Sequence, residues 1–180
     1  MYCYDYKCDR CSLEAGAASG AIGYYQFSDG GELHVLTNPA WCNQCDTITL
    51  AEALPDIAFL RAELDRYESG NYTASDSEDA ATFSESLDAF VTSRKQSFEK
   101  WLSRFDHRTI PGRCIECGFS DFRFLTSFTD DDTCPDAFVH PGCNGMMRMI
   151  RTCHVSPATY FVLDGDGNRV SASDKTEPCD

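Results

Sequence analysis

Apolar positions change period twice along the chain. Over residues 1–50 they fall in short runs: "YDYKC" (4–8) and "YYQF" (24–27) read as aromatic strands. "SDGGE" (28–32) reads as a hairpin turn leading into "ELHVL" (32–36). From about Leu50 the period becomes helical, with Leu54, Ile57, Leu60, Leu64 and Tyr67 spaced by three or four. Pro55 suits the first turn of a helix, where its missing N–H costs little, and Gly70-Asn71 ends the run. A polar link, "NYTASDSED", follows, and a longer helix is predicted from about Asp79 to His107. Phe83, Leu87, Phe90, Phe98, Trp101 and Phe105 form its stripe, interrupted by Arg94. Two facing stripes predict an antiparallel helical hairpin. The strand period returns after Pro111-Gly112. "FRFLTSF" (122–128) and "MMRMIRTCHV" (146–155) read as strands, "TDDDTCPD" (129–136) as a loop between them. "TYFVLDGDGNRVSAS" (159–173) reads as a closing hairpin with its turn at Asp164–Asn168. The expected organisation is therefore α+β in three parts: a β-module over 1–50, a helical hairpin over 51–108, and a second β-module over 109–180.

At 180 residues the chain suits one domain or two small ones, and 42% hydrophobic residues are enough for a core. "MYCYDYKCDRCSLE" has no basic n-region and no apolar run, so no secretory signal is expected. No segment approaches the roughly 18 apolar residues of a membrane helix. The expectation is a soluble, cytoplasmic protein.

Eleven cysteines need a reason in such a chain, and the odd count argues against a disulfide framework. Six of them form C-x-x-C pairs: Cys8/Cys11, Cys42/Cys45 and Cys114/Cys117. That spacing places two sulfurs on one turn around the same cation. Cys8, Cys11, Cys42 and Cys45, with 30 residues between the pairs, predict a first structural zinc site that a returning sheet would complete. Iron held by four thiolates is the rival ion. Cys114 and Cys117 open a second site, and 22 residues later comes "HPGC". His140 stands where the partner of Cys143 belongs, with Pro141-Gly142 making the turn, so His140 and Cys143 complete the second zinc set. Cys134, in "TCPD", competes with His140 for that place, and so could Cys153-His154. Cys3, Cys134, Cys153 and Cys179 read as packed or incidental rather than as redox switches.

On "CDRC", "CNQC", "CIECG" and "HPGCNG" both β-segments resemble zinc ribbons, over roughly residues 3–50 and 112–165. The resemblance implies small antiparallel sheets, each pinned by a structural metal, and implies no activity. His140 in place of a cysteine, and the missing glycines after "CDRC" and "CNQC", depart from the pattern.

Catalytic signatures are missing. There is no HExxH, no deaminase H-x-E with P-C-x-x-C, no phosphate-binding loop and no dinucleotide fingerprint. No βαβ pattern surrounds a C-x-x-C, which removes a thioredoxin reading. In "DGDGNRVSASDK" (164–175) Arg169 takes the glycine position of a calcium loop and Lys175 that of its bidentate acid. No enzyme is expected.

The formal net charge is −14, from 29 acids and 15 bases. Four thiolates around a divalent cation add −2 and three with a neutral imidazole −1, so two filled sites bring it to about −17. Acids concentrate in residues 63–90, eight against the single base Arg66, while Arg94, Lys95, Lys100, Arg104 and Arg108 follow. Such a surface favours a basic protein partner, for instance a toxin held by an acidic inhibitor or immunity protein, and repels phosphate backbones. The alternative is a nucleic-acid-associated ribbon factor using Arg113, Arg123, Phe119 and Phe122. An enzyme with an unrecognised site is the third reading.

Overall fold

A computed structural model describes residues 2–18, 22–125, 136–154 and 160–170. The fold is α+β. It divides into two units: Met1–Leu54 together with Ile110–Asp180, and Pro55–Thr109. The predicted first and third segments thus share one unit, here called the β unit.

Within the β unit, strands from both sides of the helices enter every sheet. The first sheet has the order β2-β1-β9-β8 (Glu14–Ala18, Tyr2–Cys8, Met146–His154, Ala137–Val139), all antiparallel. The second has the order β11-β10-β3-β4 (Arg169–Val170, Tyr160–Leu163, Ile22–Gln26, Glu32–His34), with β10 parallel to β3. The third is β6-β5-β7 (Thr47–Glu52, Thr37–Cys42, Phe122–Phe124). The aromatic strand read at residues 4–8 supplies much of the core. Tyr4, Tyr6 and Cys8 project from one face of β1 and pack with Trp41, Ile48 and Met147, with Phe138 and Cys143 closing the cluster. The closing hairpin forms as expected, its turn held by Asp164, which accepts from the backbone N–H groups of Asp166 and Asn168.

The predicted helical run does not begin at Leu50. Residues 47–52 pair with β5 instead, and their cross-strand contacts override the local 3–4 spacing. Glu52 anchors the point where the chain leaves and re-enters the β unit. Its carboxylate, 1% exposed, accepts from the Tyr25 hydroxyl at 2.5 Å and from the Arg113 backbone N–H at 2.8 Å. The Glu52 N–H in turn donates to the Arg113 carbonyl at 2.8 Å, and that of Ile115 to Leu50 at 2.9 Å. Gly112 makes this approach feasible, because a Cβ there would lie 2.5 Å from the Glu52 carbonyl oxygen.

The helical unit contains α1 (Ile57–Glu68), α2 (Ala74–Thr82) and α3 (Leu87–Phe105), with α1 and α2 each packed on α3. Asp56 caps α1 by accepting from Ala58 and Phe59, and Leu60 and Tyr67 of the predicted stripe are buried. The single long helix expected from Asp79 is two helices, and part of the polar link is helical. Thr73 and Asp76 form a reciprocal capping box that starts α2. The chain breaks between Thr82 and Leu87, where Ser84 takes a φ of 58° and Ser86 caps α3. Phe83 falls in that break and is 66% exposed, whereas Phe90, Trp101 and Phe105 are buried as the stripe requires. Arg94, which interrupts the stripe, stays exposed with its guanidinium over the Phe90 ring at 5.2 Å.

Asp76 is the buried acid of this unit, 5% exposed. It accepts from Arg66 at 2.7 and 3.1 Å, from the Tyr67 hydroxyl at 2.7 Å, and from the Thr73 backbone N–H and hydroxyl at 2.6 and 2.9 Å. Arg66 also grips Glu63 with two bonds of 3.0 and 2.7 Å. Arg66, ahead of the opposing cost of burial, holds the Asp76 carboxyl well below the usual carboxylate range.

Candidate metal centres

The register of β1 on β9 builds the first centre. Cys8, the last residue of β1, lies opposite Met147 near the start of β9. That places the "CDRC" turn against the "HPGCNG" turn. A reciprocal pair of bonds locks the two together: Asp9 N–H donates to the Met146 carbonyl at 3.1 Å, and Met146 N–H to the Asp9 carboxylate at 2.8 Å. Arg10 adds a bond to the Cys143 carbonyl at 2.7 Å. Gly145 is required here, since a Cβ would come within 2.7 Å of the Cys8 sulfur. Cys8, Cys11, His140 and Cys143 converge as a result, their ligand atoms all within 4.8 Å of one another.

Sheet pairing also builds the second centre. Cys42 ends β5 opposite Phe122 of β7, and Cys114 bridges to Ala51 of β6. The turn after Cys114 closes through a Gly118 N–H bond to its carbonyl at 2.9 Å. The Asn43 side chain ties the opposite turn to Asp121 at 2.8 Å. Cys42, Cys45, Cys114 and Cys117 meet within the same 4.8 Å limit.

All eight residues singled out from the sequence therefore lie in the two clusters, but the expected grouping is corrected. Cys8/Cys11 meets His140/Cys143 rather than Cys42/Cys45, and Cys42/Cys45 meets Cys114/Cys117. Each centre takes one turn from each side of the helical unit. Spacing could not reveal this, because one C-x-x-C turn is chemically as good a partner as another. Strand register makes the choice. Cys134 and Cys179 lie outside the described residues, as do the side chains of Cys3, Cys153 and His154.

The distances suit a tetrahedral cation. Metal–sulfur bonds of about 2.3 Å put sulfurs about 3.8 Å apart, and an imidazole nitrogen about 3.6 Å from each sulfur. Sulfur pairs lie at 3.4 Å (Cys8 to Cys143), 3.5 Å (Cys42 to Cys117) and 3.9 Å (Cys45 to Cys114). Nδ1 of His140 is 3.4 Å from the Cys11 sulfur and 3.1 Å from that of Cys143. Backbone N–H groups of Arg10 and Gly145 point at the Cys8 and Cys143 sulfurs at 3.5 and 3.4 Å, an arrangement that favours thiolates.

Ionisation is uneven within each cluster. Burial pushes the Cys8 thiol up, but the backbone N–H groups of Cys11 and Arg10 with the Cys143 and His140 side chains outweigh it and bring it down to about 6. Burial and the neighbouring thiols push Cys143 up. In the second cluster burial raises Cys42 and Cys45, while the Phe119 N–H and the other three sulfurs outweigh burial and lower Cys117. Closely packed thiols oppose one another's ionisation, and a divalent cation removes that opposition. Each tetrad could hold one metal ion.

Comparison of the chain with protein-family models, with curated proteins and with solved structures finds no match. Among the described residues no helix is long and apolar enough to cross a membrane.

Proposed function

We propose that the chain is a zinc-stapled scaffold that works by binding another macromolecule, with a basic protein as the partner. One observation carries the reading: both clusters supply four protein ligands from two turns, the composition of a closed, structural zinc site. Zinc accepts sulfur and imidazole alike, which suits a chain whose two sets are Cys₃His and Cys₄. A catalytic zinc keeps one position for water, so four protein ligands at both centres speak against hydrolysis. The paired turns on short strands support the zinc-ribbon likeness, with the difference that each ribbon-like site is assembled from distant parts of the chain. The net charge of −14, with acids dense over residues 63–90, supports a basic partner. An inhibitor or immunity protein that covers the active site of a basic toxin is the concrete form of this reading.

A cleft of about 460 Å³ beside the second centre favours nucleic acid as the other reading. Arg113, Phe119 and Arg169 line it, and Phe119 is 56% exposed, offering a ring on which a base could stack.

Native mass spectrometry of the protein captured from its own host's lysate tests the assignment. Two zinc ions with a basic companion are expected. Two zinc ions without a companion, together with salt-sensitive retention on single-stranded nucleic acid, would transfer the function to the second reading. One zinc ion or none would overturn the staple itself.

A further inference from the structure

The first centre lacks the usual support for its histidine. A metal-bound imidazole normally donates its second N–H to a carboxylate or carbonyl, which fixes the ring. Here Nδ1 of His140 faces the sulfurs, while Nε2 is buried and has no hydrogen-bond partner among the described residues. What touches the ring instead is Trp41, edge-on, with centroids 4.9 Å apart and an interplanar angle of 61°.

Trp41 is also bound to the second centre, through the backbone. It precedes Cys42 on β5, and alternation sends the two side chains to opposite faces of that strand. Trp41 is 1% exposed, between Ile48 of its own sheet and Tyr4, Tyr6 and Cys8 of the first sheet. Phe138, two residues before His140, packs on it as well at 6.3 Å. A cation that fixes Cys42 thus fixes β5, β5 holds the indole, and the indole holds the imidazole with Nδ1 turned toward Cys8, Cys11 and Cys143.

We infer that the two metal centres load and empty as one cooperative unit, with Trp41 as the positioning residue that couples them. The inference rests on both tetrads being metal centres and adds a property that two independent staples would lack. By linkage the coupling is reciprocal, so filling either centre tightens the other.

The test uses the full chain, reduced and stripped of metal, and loaded with Co²⁺, whose absorption distinguishes four-sulfur from three-sulfur, one-nitrogen ligation. In the wild type both signatures are expected to rise together. Native mass spectrometry under limiting chelator should show one-metal protein well below its statistical share. In Trp41→Leu the three-sulfur, one-nitrogen site is expected to weaken by about 10- to 100-fold relative to the four-sulfur site and to lose its nitrogen signature. Trp41→Phe should restore much of both. One-metal wild-type protein at its statistical share would overturn the coupling, and this readout stands even if Trp41→Leu fails to fold. Two metals still binding together in Trp41→Leu, with one-metal protein as scarce as in the wild type and the nitrogen signature intact, would reduce Trp41 to a packing role and also overturn it. Failure to take up two equivalents would instead overturn the metal reading beneath it.

Discussion

The β unit and the helical unit are built on opposite principles. In the β unit, sheets join strands more than 100 positions apart, as in the pairing of Tyr2 with His154, and each cluster draws its residues from two distant turns. In the helical unit the decisive interactions are short-range: Asp56 to Ala58, Thr73 to Asp76, Arg66 to Asp76. Non-local sheets pay a chain entropy to close, which the proposed metal ligation at their turns would offset. Capped helices on an aromatic stripe need no such ion. The difference teaches where each half should fail.

Metal removal is the strongest way to break the comparison. Chelation under reducing conditions is expected to abolish amide protection in β1, β5 and β9 while the three helices keep theirs, read by hydrogen exchange. Loss of protection in both units at the same chelator concentration would mean that the helices depend on the staples too. The corrected grouping sharpens this further: Cys8→Ser and Cys143→Ser should alter the three-sulfur, one-nitrogen cobalt spectrum, and Cys42→Ser and Cys117→Ser the four-sulfur spectrum, whatever happens to the two occupancies.

A smaller effect should be confined to the helical unit. Asp76→Asn removes the charge that Arg66 and Tyr67 address and is expected to cost about 2 to 3 kcal/mol, measured by urea unfolding followed on the helices. Acid should act through the same residue. Because its folded pKa is depressed, the contribution of Asp76 is complete above the unfolded carboxylate value of about 4. It falls away as the pH drops from there toward the folded value. Asp76→Asn should flatten this part of the helical unit's pH profile, and an unchanged profile would remove Asp76 as its cause.

The smallest prediction concerns the break between α2 and α3. Ser84 sits at a φ of 58°, a conformation that favours glycine. Ser84→Gly is expected to raise the helical unit's stability by up to about 1 kcal/mol in the same urea assay. A loss of stability would show that the left-handed turn is not where strain resides.

Local chemistry was legible at several points. The two stripes, through Leu60 and Tyr67 and through Phe90, Trp101 and Phe105, identified buried helix faces, and Asp164–Asn168 identified a hairpin turn. C-x-x-C spacing and "HPGC" picked out the eight residues that cluster. The polar link and the exposed Phe83 misled because one capping box and one left-handed serine outweigh average propensity. The acidic run did not single out Asp76 as internal; Thr73-x-x-Asp76, the spacing of a capping box, is the signal that marks it.

What the sequence by itself determined is the inventory: which residues can bind a metal, which faces are apolar, and where turns and helix starts are chemically favoured. These follow from interactions within a few residues, where spacing and geometry are nearly the same thing. Only the tertiary structure decided which turn meets which, that Glu52 bonds to Arg113 across more than 50 residues of chain, and that Trp41, next to Cys42, lies against His140. Those outcomes depend on strand register over long loops, and a C-x-x-C pair carries no mark of its distant partner.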